Sequence, residues 1–368
     1  MQLGQALKFL ELDPQNLALI GEAASAAFDA GQWPVATNLL AQYETIAPLP
    51  ASMRNLAGLV AMNQGHLKEA VANFETVLAT EPSNPEVRFN LAWTKSALKD
   101  WAGASSLLDQ DVAATVSRAA ALKIQMLHHM GEIEEALAWG ADFAERQPGD
   151  KALMAALAVA AIDADELELA RSYAERADDV HEGLSTLGML ALGDHSPDAA
   201  MGLFDRAIDL YPDSARARLG KGLGLLALGD PVRAARELDH GAEVFGDHLG
   251  SWVASGWAYF VCGDNVTSRH RFERALTLDD TFAETHGALA VLDIVENNID
   301  SARKRTDVAL RLDRQCFAGI LAKTLLLTQD GDLATAERLR TIALNSPVGP
   351  GGQTIAQSMV AMGMHKHS

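Results

Sequence analysis

Alanine recurs along this chain at a nearly fixed interval, and this recurrence constrains the fold more than any other feature. Most members of the series are 34 residues apart, with two shorter intervals. The series is Ala36, Ala70, Ala104, Ala136, Ala170, Ala200, Ala234, Ser268, Ala302 and Ala336. A fixed period of ~20–50 residues is typical of proteins built from structural repeats that stack on their neighbours.

Two further residue types follow the same period. Prolines close successive repeats at Pro14, Pro48, Pro82, Pro148 and Pro212. Residues able to adopt a left-handed conformation stand in the middle of the repeats, at Gly31, Gly65, Gly131, Gly229, Gly263, Asn297 and Gly331. The alanine series contracts between Ala104 and Ala136 and again between Ala170 and Ala200, and the other two series contract in the same places. Glycine or asparagine can end a helix and proline prevents its continuation, so each repeat has a turn at its middle and another at its end.

The segments between these markers have helical periodicity. In 56–62 and 67–78 apolar residues return with a helix period, and β-branched alternation is absent. Ser196 before Pro197, and Asp230 before Pro231, are typical of helix starts, with a capping side chain followed by proline in the first turn. Each repeat is therefore predicted to be helix, tight turn, helix, short turn, and the fold class is all-α.

Three repeats carry the residues of a known pattern. The best examples are Trp252, Gly256, Tyr259, Gly263, Phe272 and Ala275 in 249–282; Gly58, Gly65, Ala70, Phe74 and Pro82 in 51–84; and Leu187, Gly188, Ala200, Phe204, Ala207 and Pro212 in 181–214. In these residues the chain resembles the tetratricopeptide repeat (TPR) family. The resemblance implies a right-handed superhelical solenoid of about ten helix-turn-helix units. Lys99, Asp165 and His195 depart from the pattern at the turn position.

The predicted organisation is one continuous array between two half-units. Residues 1–16 resemble the second helix of a unit, and 351–368 a first helix or tail; both are interpreted as caps or as edges of a longer array. Met359 and Met362 in the second half-unit are expected to be partly exposed. The array 17–350 is divided into 17–50, 51–84, 85–116, 117–150, 151–180, 181–214, 215–248, 249–282, 283–316 and 317–350. Two of these units, 85–116 and 151–180, are short, and we expect a local change of twist there.

Composition bounds the environment and the partners. The chain has a net charge of −19, which argues against nucleic acid, because binding to phosphates depends on Lys and Arg. No apolar run reaches the ~20 residues of a membrane span, and no secretory signal is visible. We predict a cytoplasmic location, or a periplasmic one if a signal has been removed. Cys262 and Cys316 are expected to be packed, reduced thiols.

No catalytic, metal or cofactor site is predicted. His128 and His129 are adjacent, so on a helix they point in different directions, and His365 with His367 lacks a third ligand. The segment 220–224 has the glycines of a phosphate loop but lies within a predicted helix without a preceding strand. We therefore expect a protein that is not an enzyme and has no cofactor.

The remaining candidate is a protein-binding groove. In tetratricopeptide arrays the first helix of each unit lines the concave side, and here the corresponding residues are strongly apolar. The groove candidates are Leu59, Met62, Phe89, Trp93, Met189, Leu192, Leu219, Trp257, Phe260, Ile294 and Leu325, with Leu226, Val253, Val291 and Leu321 as further members. Each could instead belong to the inter-helix core, but exposed contiguous apolar surface usually marks a binding site. A carboxylate clamp from Asn55, Asn90, Arg118 and Arg216 is disfavoured, because the lysine–asparagine–arginine set is missing.

Three functions are compatible with this pattern. The first is a scaffold or adaptor that holds a protein segment with apolar anchors in its groove. The second is a chaperone of the holdase type, associated with secretion or assembly, that protects a hydrophobic client. The third is the repeat portion of a larger export machine.

Overall fold

The computed structural model describes residues 2–345. Within that range the chain forms 22 α-helices and no strand, as the repeat pattern predicts. None of the helices in this range is both long and apolar enough to cross a membrane. The chain divides into two compact bodies, an N-terminal body of residues 1–160 and a C-terminal body of residues 161–368. The predicted half-unit 351–368, with Met359, Met362, His365 and His367, lies outside the described residues.

The helices of the first part of the chain begin with a single helix and continue in pairs. They are α1 (Leu3–Leu12), α2 (Leu17–Asp29), α3 (Trp33–Ile46), α4 (Ala51–Asn63), α5 (Leu67–Thr80), α6 (Pro85–Ala97), α7 (Trp101–Leu107), α8 (Gln110–Thr115), α9 (Ala119–His129), α10 (Ile133–Arg146) and α11 (Lys151–Asp163). The first helix of a pair is called helix A and the second helix B. The short repeat 85–116 is the exception, because α7 and α8 replace a single helix B.

The C-terminal body continues the pairing. Its helices are α12 (Leu167–Glu175), α13 (His181–Gly193), α14 (Pro197–Leu210), α15 (Ala215–Ala227), α16 (Pro231–Phe245), α17 (Leu249–Val261), α18 (Asn265–Leu278), α19 (Ala283–Val295), α20 (Ile299–Leu312), α21 (Phe317–Gln329) and α22 (Leu333–Asn345). The second short repeat, 151–180, has a short helix B, since α12 is only 9 residues long. Both contractions of the alanine series thus shorten or divide helix B.

The turns between helix A and helix B share one backbone conformation. Gly65 has φ 77° and Asn297 has φ 62°, as expected because both residue types readily adopt the left-handed conformation that ends a helix. Lys99, Asp165 and His195 adopt the same left-handed conformation although they carry a Cβ, with φ between 56° and 63°. The repeat geometry therefore imposes this turn even where the sequence does not favour it.

The two predicted helix caps have different outcomes. The Asp230 carboxylate accepts a hydrogen bond from the Arg233 backbone N–H at 3.1 Å. The Ser196 hydroxyl makes no such cap and donates instead to the Asp194 carbonyl at 3.4 Å, so that prediction was wrong. Both helices nevertheless have proline in the first turn, as predicted.

In three repeats the core is built around a phenylalanine of helix B facing a glycine of helix A. Phe74, Phe204 and Phe272 have no exposed surface. A Cβ added to Gly58 would lie 2.5 Å from a ring carbon of Phe74. The same contact joins Gly188 to Phe204. These glycines are required because the ring occupies the space of a side chain.

Candidate functional site

Four of the predicted groove residues form one partly buried apolar surface in the C-terminal body. They are Trp257, Phe260, Ile294 and Leu325, and we call them the Trp257 surface. They lie on α17, α19 and α21, the helices A of three successive repeats, and they pack around Ala290, Val291 and Ala322. Leu321, one of the further members, packs on the same cluster. The side chains thus form a continuous surface across three helices.

Aromatic contacts fix the centre of this surface. The Trp257 ring meets Phe260 edge to face, with centroids 5.5 Å apart. Its other contact is Phe272 of the repeat core, at 5.4 Å. Edge-to-face pairs of this kind stabilise a defined side-chain position. Trp257 and Phe260 are therefore neither sealed in the core nor free in solvent.

Small residues allow the helices beneath the surface to approach closely. A Cβ at Gly287 of α19 would collide with the backbone of Gly319 and Ala318 on α21. Because backbone meets backbone here, Ile294 of α19 and Leu325 of α21 reach the same apolar cluster. This close approach depends on three small residues in consecutive repeats.

A partly buried carboxylate binds α17 on the side opposite Trp257. Asp239 of α16 accepts two hydrogen bonds from the guanidinium of Arg271, at 2.5 and 2.8 Å. It also accepts from the Ser255 hydroxyl at 2.9 Å and from the Tyr259 hydroxyl at 3.3 Å. Burial, followed by the adjacent Asp239 charge, raises the pKa of Tyr259. Ser255 and Tyr259 lie two residues before and after Trp257, so this cluster binds the side of α17 turned away from the Trp257 surface.

A second carboxylate holds α19 in the same way. Asp293 is 3% exposed and lies between Arg269 of α18 at 2.7 Å and Arg305 of α20 at 3.0 Å. Burial would lower the pKa of Arg269, but its hydrogen bonds to Asp293 and Glu296 outweigh that effect and raise it. Asp293 directly precedes Ile294, and this ion cluster therefore fixes the orientation of α19 below the Trp257 surface.

Two exposed valines extend the apolar surface at its edge. Val261 is 63% exposed and Val295 is 53% exposed, and they directly follow Phe260 and Ile294 in sequence. Neither valine is among the groove residues predicted from the sequence. The available signal was their spacing of one repeat, the same spacing that relates Phe260 to Ile294.

Other groove candidates of the C-terminal body lie in separate clusters. Met189 and Leu192 pack on the core around Leu184 and Phe204. Leu219, together with Leu226, packs against Leu238 and Ala258. Two of the further members were placed wrongly, because Val253 and Val291 are buried in the helix packing. Val253 contributes to the repeat core, whereas Val291 supports the Trp257 surface from below.

The N-terminal body contains the remaining four candidates. Leu59 and Met62 of α4 pack on the core around Phe74. Phe89 of α6 packs on a different cluster, whereas Trp93 is 43% exposed. The structure therefore pairs Leu59 with Met62 and leaves Trp93 as the most exposed of the predicted aromatic anchors.

The two arginines considered for a carboxylate clamp are engaged elsewhere or lie outside a helix. Arg216 makes two hydrogen bonds to Asp163, at 3.1 and 2.9 Å. Arg118 precedes α9 in a left-handed conformation. Residues 2–345 contain no group of three or more His, Cys, Asp or Glu side chains arranged to hold a metal ion. Cys316 is buried as expected, but Cys262 is exposed, so the prediction of two packed thiols holds for only one of them.

The paired helices, left-handed turns and phenylalanine–glycine contacts define a helix-pair repeat protein. Residues 61–126 and 185–242 match two family models described as tetratricopeptide repeat. These matches confirm the tetratricopeptide repeats that the residue pattern predicted. No curated protein matches the chain by sequence.

Solved structures share this fold at low sequence identity. The structure titled "Human IFIT1 dimer with m7Gppp-AAAA" is 12% identical, with 90% of each chain covered and a TM-score of 0.55. The structure titled "Crystal structure of APC/C hetero-tetramer Cut9-Hcn1" is 14% identical, with 95% of this chain and 81% of that chain covered and a TM-score of 0.54. At such identities the similarity is one of fold. The tetratricopeptide fold is compatible with a scaffold for protein–protein interaction.

Proposed function

We propose that this protein is a non-enzymatic scaffold or adaptor that binds a segment of another protein on the Trp257 surface. The observation that supports the proposal is the continuity of apolar side chains across α17, α19 and α21, with Val261 and Val295 exposed at the edge. A soluble repeat face with no partner would be expected to carry polar side chains there, and a contiguous apolar patch usually marks an interaction site.

The size of the surface is sufficient for useful affinity. Complete burial of one large apolar side chain is worth about 1.5–3 kcal/mol, and association costs at least about 4 kcal/mol before any net affinity appears. The four side chains of the Trp257 surface are already partly buried and contribute only their exposed part, whereas Val261 and Val295 contribute more than half of theirs. Together the six side chains reach about the lower end of that cost. Trp257 is expected to contribute most, because aromatic anchors dominate binding energy at interfaces.

The charge of the chain suggests the character of the partner. With a net charge of −19, the protein attracts basic partners at long range. We therefore propose a partner segment that has apolar anchors flanked by basic residues. The same charge disfavours RNA, although the human IFIT1 dimer of similar fold is in complex with m7Gppp-AAAA.

A second candidate function is that of a chaperone for a hydrophobic client in secretion or assembly. The observation that favours it is the exposure of Val261 and Val295, because aliphatic side chains contact apolar segments of many different sequences. A chaperone would suppress aggregation of several apolar segments, whereas an adaptor would bind one of them tightly. The repeat portion of a larger export machine would use the same surface.

The test adds a charge at the edge of the surface without disturbing the core. Proteins captured by the intact chain are compared with those captured by Val261→Glu and Val295→Glu. The matched control is Val232→Glu on α16, since Val232 is 56% exposed and belongs to no part of the Trp257 surface. A synthetic segment of a captured protein is then titrated against all four proteins by fluorescence anisotropy.

We expect Val295→Glu to weaken binding of that segment about tenfold or more, because a buried unpaired charge opposes association. Val232→Glu is expected to bind as the intact chain does. Equal binding by all four proteins, or equal loss in Val232→Glu, would contradict the proposed surface. Trp93→Ala, measured in parallel, shows whether the N-terminal body contributes to the same interaction.

A further inference from the structure

A second site lies in the N-terminal body, away from the residues of the proposed groove. A cavity of about 380 Å³ opens between α3 and α5, the helices B of two successive repeats, with α4 as its floor. We call it the α3–α5 cleft. Its floor contains Ala57, Val60 and Ala61, and its rim is polar. Leu59 is two residues from both alanines, so it points to roughly the opposite side of α4.

The two ends of the cleft are closed by side-chain contacts. At one end Arg54 of α4 pairs with Glu44 of α3 at 3.1 Å. At the other end the Thr37 hydroxyl of α3 donates to the Gln64 amide oxygen at 3.3 Å. The space between these contacts is bounded on four sides and open outward, which is the form of a pocket for one side chain.

The chain itself shows what occupies the corresponding space in another repeat. Ala57 is the seventh residue of α4, and Lys221 is the seventh residue of α15. The ammonium group of Lys221 lies between Asp205 of α14 at 2.8 Å and Glu237 of α16 at 3.3 Å. A lysine thus bridges two successive helices B where the N-terminal repeat has an alanine methyl group.

A third repeat gives the same result at the other floor position. Ala61 is the eleventh residue of α4, and Lys95 is the eleventh residue of α6. The Lys95 ammonium lies 3.6 Å from Glu75 of α5 and 3.2 Å from Asp100, which caps α7. In both filled clefts the occupant is a basic side chain held by carboxylates from the two flanking helices B.

The rim of the α3–α5 cleft retains the matching charge. Glu44 and Glu69 line it, on α3 and α5, against the single guanidinium of Arg54. Arg54 is paired with Glu44, and Glu69 lies 3.8 Å from the exposed His66 imidazole, so the rim holds two carboxylates against one guanidinium and one imidazole. The amide of Asn38 adds a hydrogen-bond acceptor to the lining. The amide oxygens of Gln64 and Asn73 already accept from Thr37 and Arg54, and each has a second lone pair for a further donor.

We propose that the α3–α5 cleft binds a basic side chain of a partner protein, with its aliphatic stem on Ala57 and Ala61 and its charged head among the rim acceptors. Arginine suits the cleft better than lysine, because its five donors match several amide oxygens and a carboxylate at once. This site is distinct from the Trp257 surface and does not depend on the function proposed for it.

The experiment uses the full chain with isotope-labelled alanine and valine methyl groups. The probe is the peptide acetyl-Gly-Gly-Arg-Gly-Gly-amide, and the matched control peptide has citrulline, the neutral isostere, in place of arginine. Variants are Ala57→Lys, which places the chain's own cation in the cleft as in the Lys221 repeat, and Glu69→Gln. The control variant is Ala72→Lys, which adds the same charge at an exposed position of α5 outside the cleft.

We expect saturable shifts of the Ala57, Val60 and Ala61 methyl signals with the arginine peptide. The citrulline peptide and the Glu69→Gln variant should bind about threefold or more weakly, the value of a partly exposed ion pair. Ala57→Lys should abolish the shifts, whereas Ala72→Lys should retain them. Absence of shifts in the intact chain, equal binding of citrulline, or undiminished binding by a folded Ala57→Lys protein would each overturn the proposal.

Discussion

The cleft above α4 in the N-terminal body and the cleft above α15 in the C-terminal body are built on the same helix-pair geometry and differ in what fills them. Above α15 Lys221 joins the flanking helices through Asp205 and Glu237. Above α4 two alanines leave about 380 Å³ open. The repeat pattern therefore determines where the helices lie. One or two residues outside the pattern determine whether a cleft is filled by the chain's own side chain or open to a partner.

The two bodies also differ in how deeply their ion pairs are buried. Asp293, in the C-terminal body, is almost fully buried between two arginines. The pair of Arg54 with Glu44 in the N-terminal body is more exposed, with 27% and 48% of the side chains accessible. We therefore expect the shared repeat core to contribute equally to the free energy of unfolding of the two bodies, and the ion clusters to contribute unequally.

The largest expected loss of stability comes from substitutions in the shared repeat core. Phe74→Ala in the N-terminal body and Phe272→Ala in the C-terminal body should each lower the local free energy of unfolding by about 3–5 kcal/mol, since each removes a fully buried ring. Hydrogen exchange of the flanking helices measures both losses separately. A large loss in one body and a small one in the other would break the equivalence of the repeats.

The next largest loss of stability is expected from substitutions in the ion pairs, and it should differ between the two bodies. Asp293→Ala should cost about 2–3 kcal/mol, because it leaves two arginines without their carboxylate, although both reach solvent. Arg54→Ala should cost less than about 1 kcal/mol, as expected for a more exposed pair. Urea unfolding followed by exchange at α19 and α4 makes the comparison, and equal costs would contradict it.

A smaller effect tests the turns that both bodies share. Gly65→Ala should cost about 1–2 kcal/mol, because alanine is unfavourable in the left-handed region. Lys99→Gly and His195→Gly should instead gain up to about 1 kcal/mol by relieving that conformation. Melting temperatures of the three variants provide the measurement. A loss of stability in both glycine variants would show that the side chains compensate for the turn.

The last effect is confined to the C-terminal body and to alkaline pH. Burial, followed by the charge of Glu284, raises the pKa of the Cys316 thiol from 9.0 to about 12. The folded chain keeps this proton while the unfolded chain loses it, so stability is unchanged below pH 9 and declines as the pH rises from 9 towards 12. Urea midpoints at pH 8 and pH 10 are compared for the intact chain and Cys316→Ala. An identical decline in both proteins would contradict the assignment to Cys316.

Much of the fold could be read from the sequence because the repeat markers act locally. Gly65 and Asn297 end their helices through their own backbone preference, and Phe74 and Gly58 recur at fixed spacing. The left-handed turns at Lys99, Asp165 and His195 follow from position in the repeat rather than from residue type. The failed cap at Ser196 shows the limit, since the Asp194 carbonyl offers the hydroxyl another partner.

The candidate site was only partly predictable. Periodicity identified the faces that carry Trp257, Phe260, Ile294 and Leu325, and these residues do share one surface. Periodicity could not separate Trp257 and Phe260 from the buried Val253, because all three are apolar residues of α17. Burial depends on how closely the neighbouring helix approaches, and that distance is set by other side chains.

The sequence alone determined the all-helical class, the pairing of most helices and the residues at their turns, because these depend on contacts within a repeat. The division of one helix B into α7 and α8 was not predicted. Only the tertiary structure decided which clefts are filled and which apolar residues remain accessible. Lys221, Asp293 and the pair Gly287 with Gly319 act between neighbouring repeats, where partners far apart in sequence meet. Their effects follow from distances across helices, which a one-dimensional pattern does not contain.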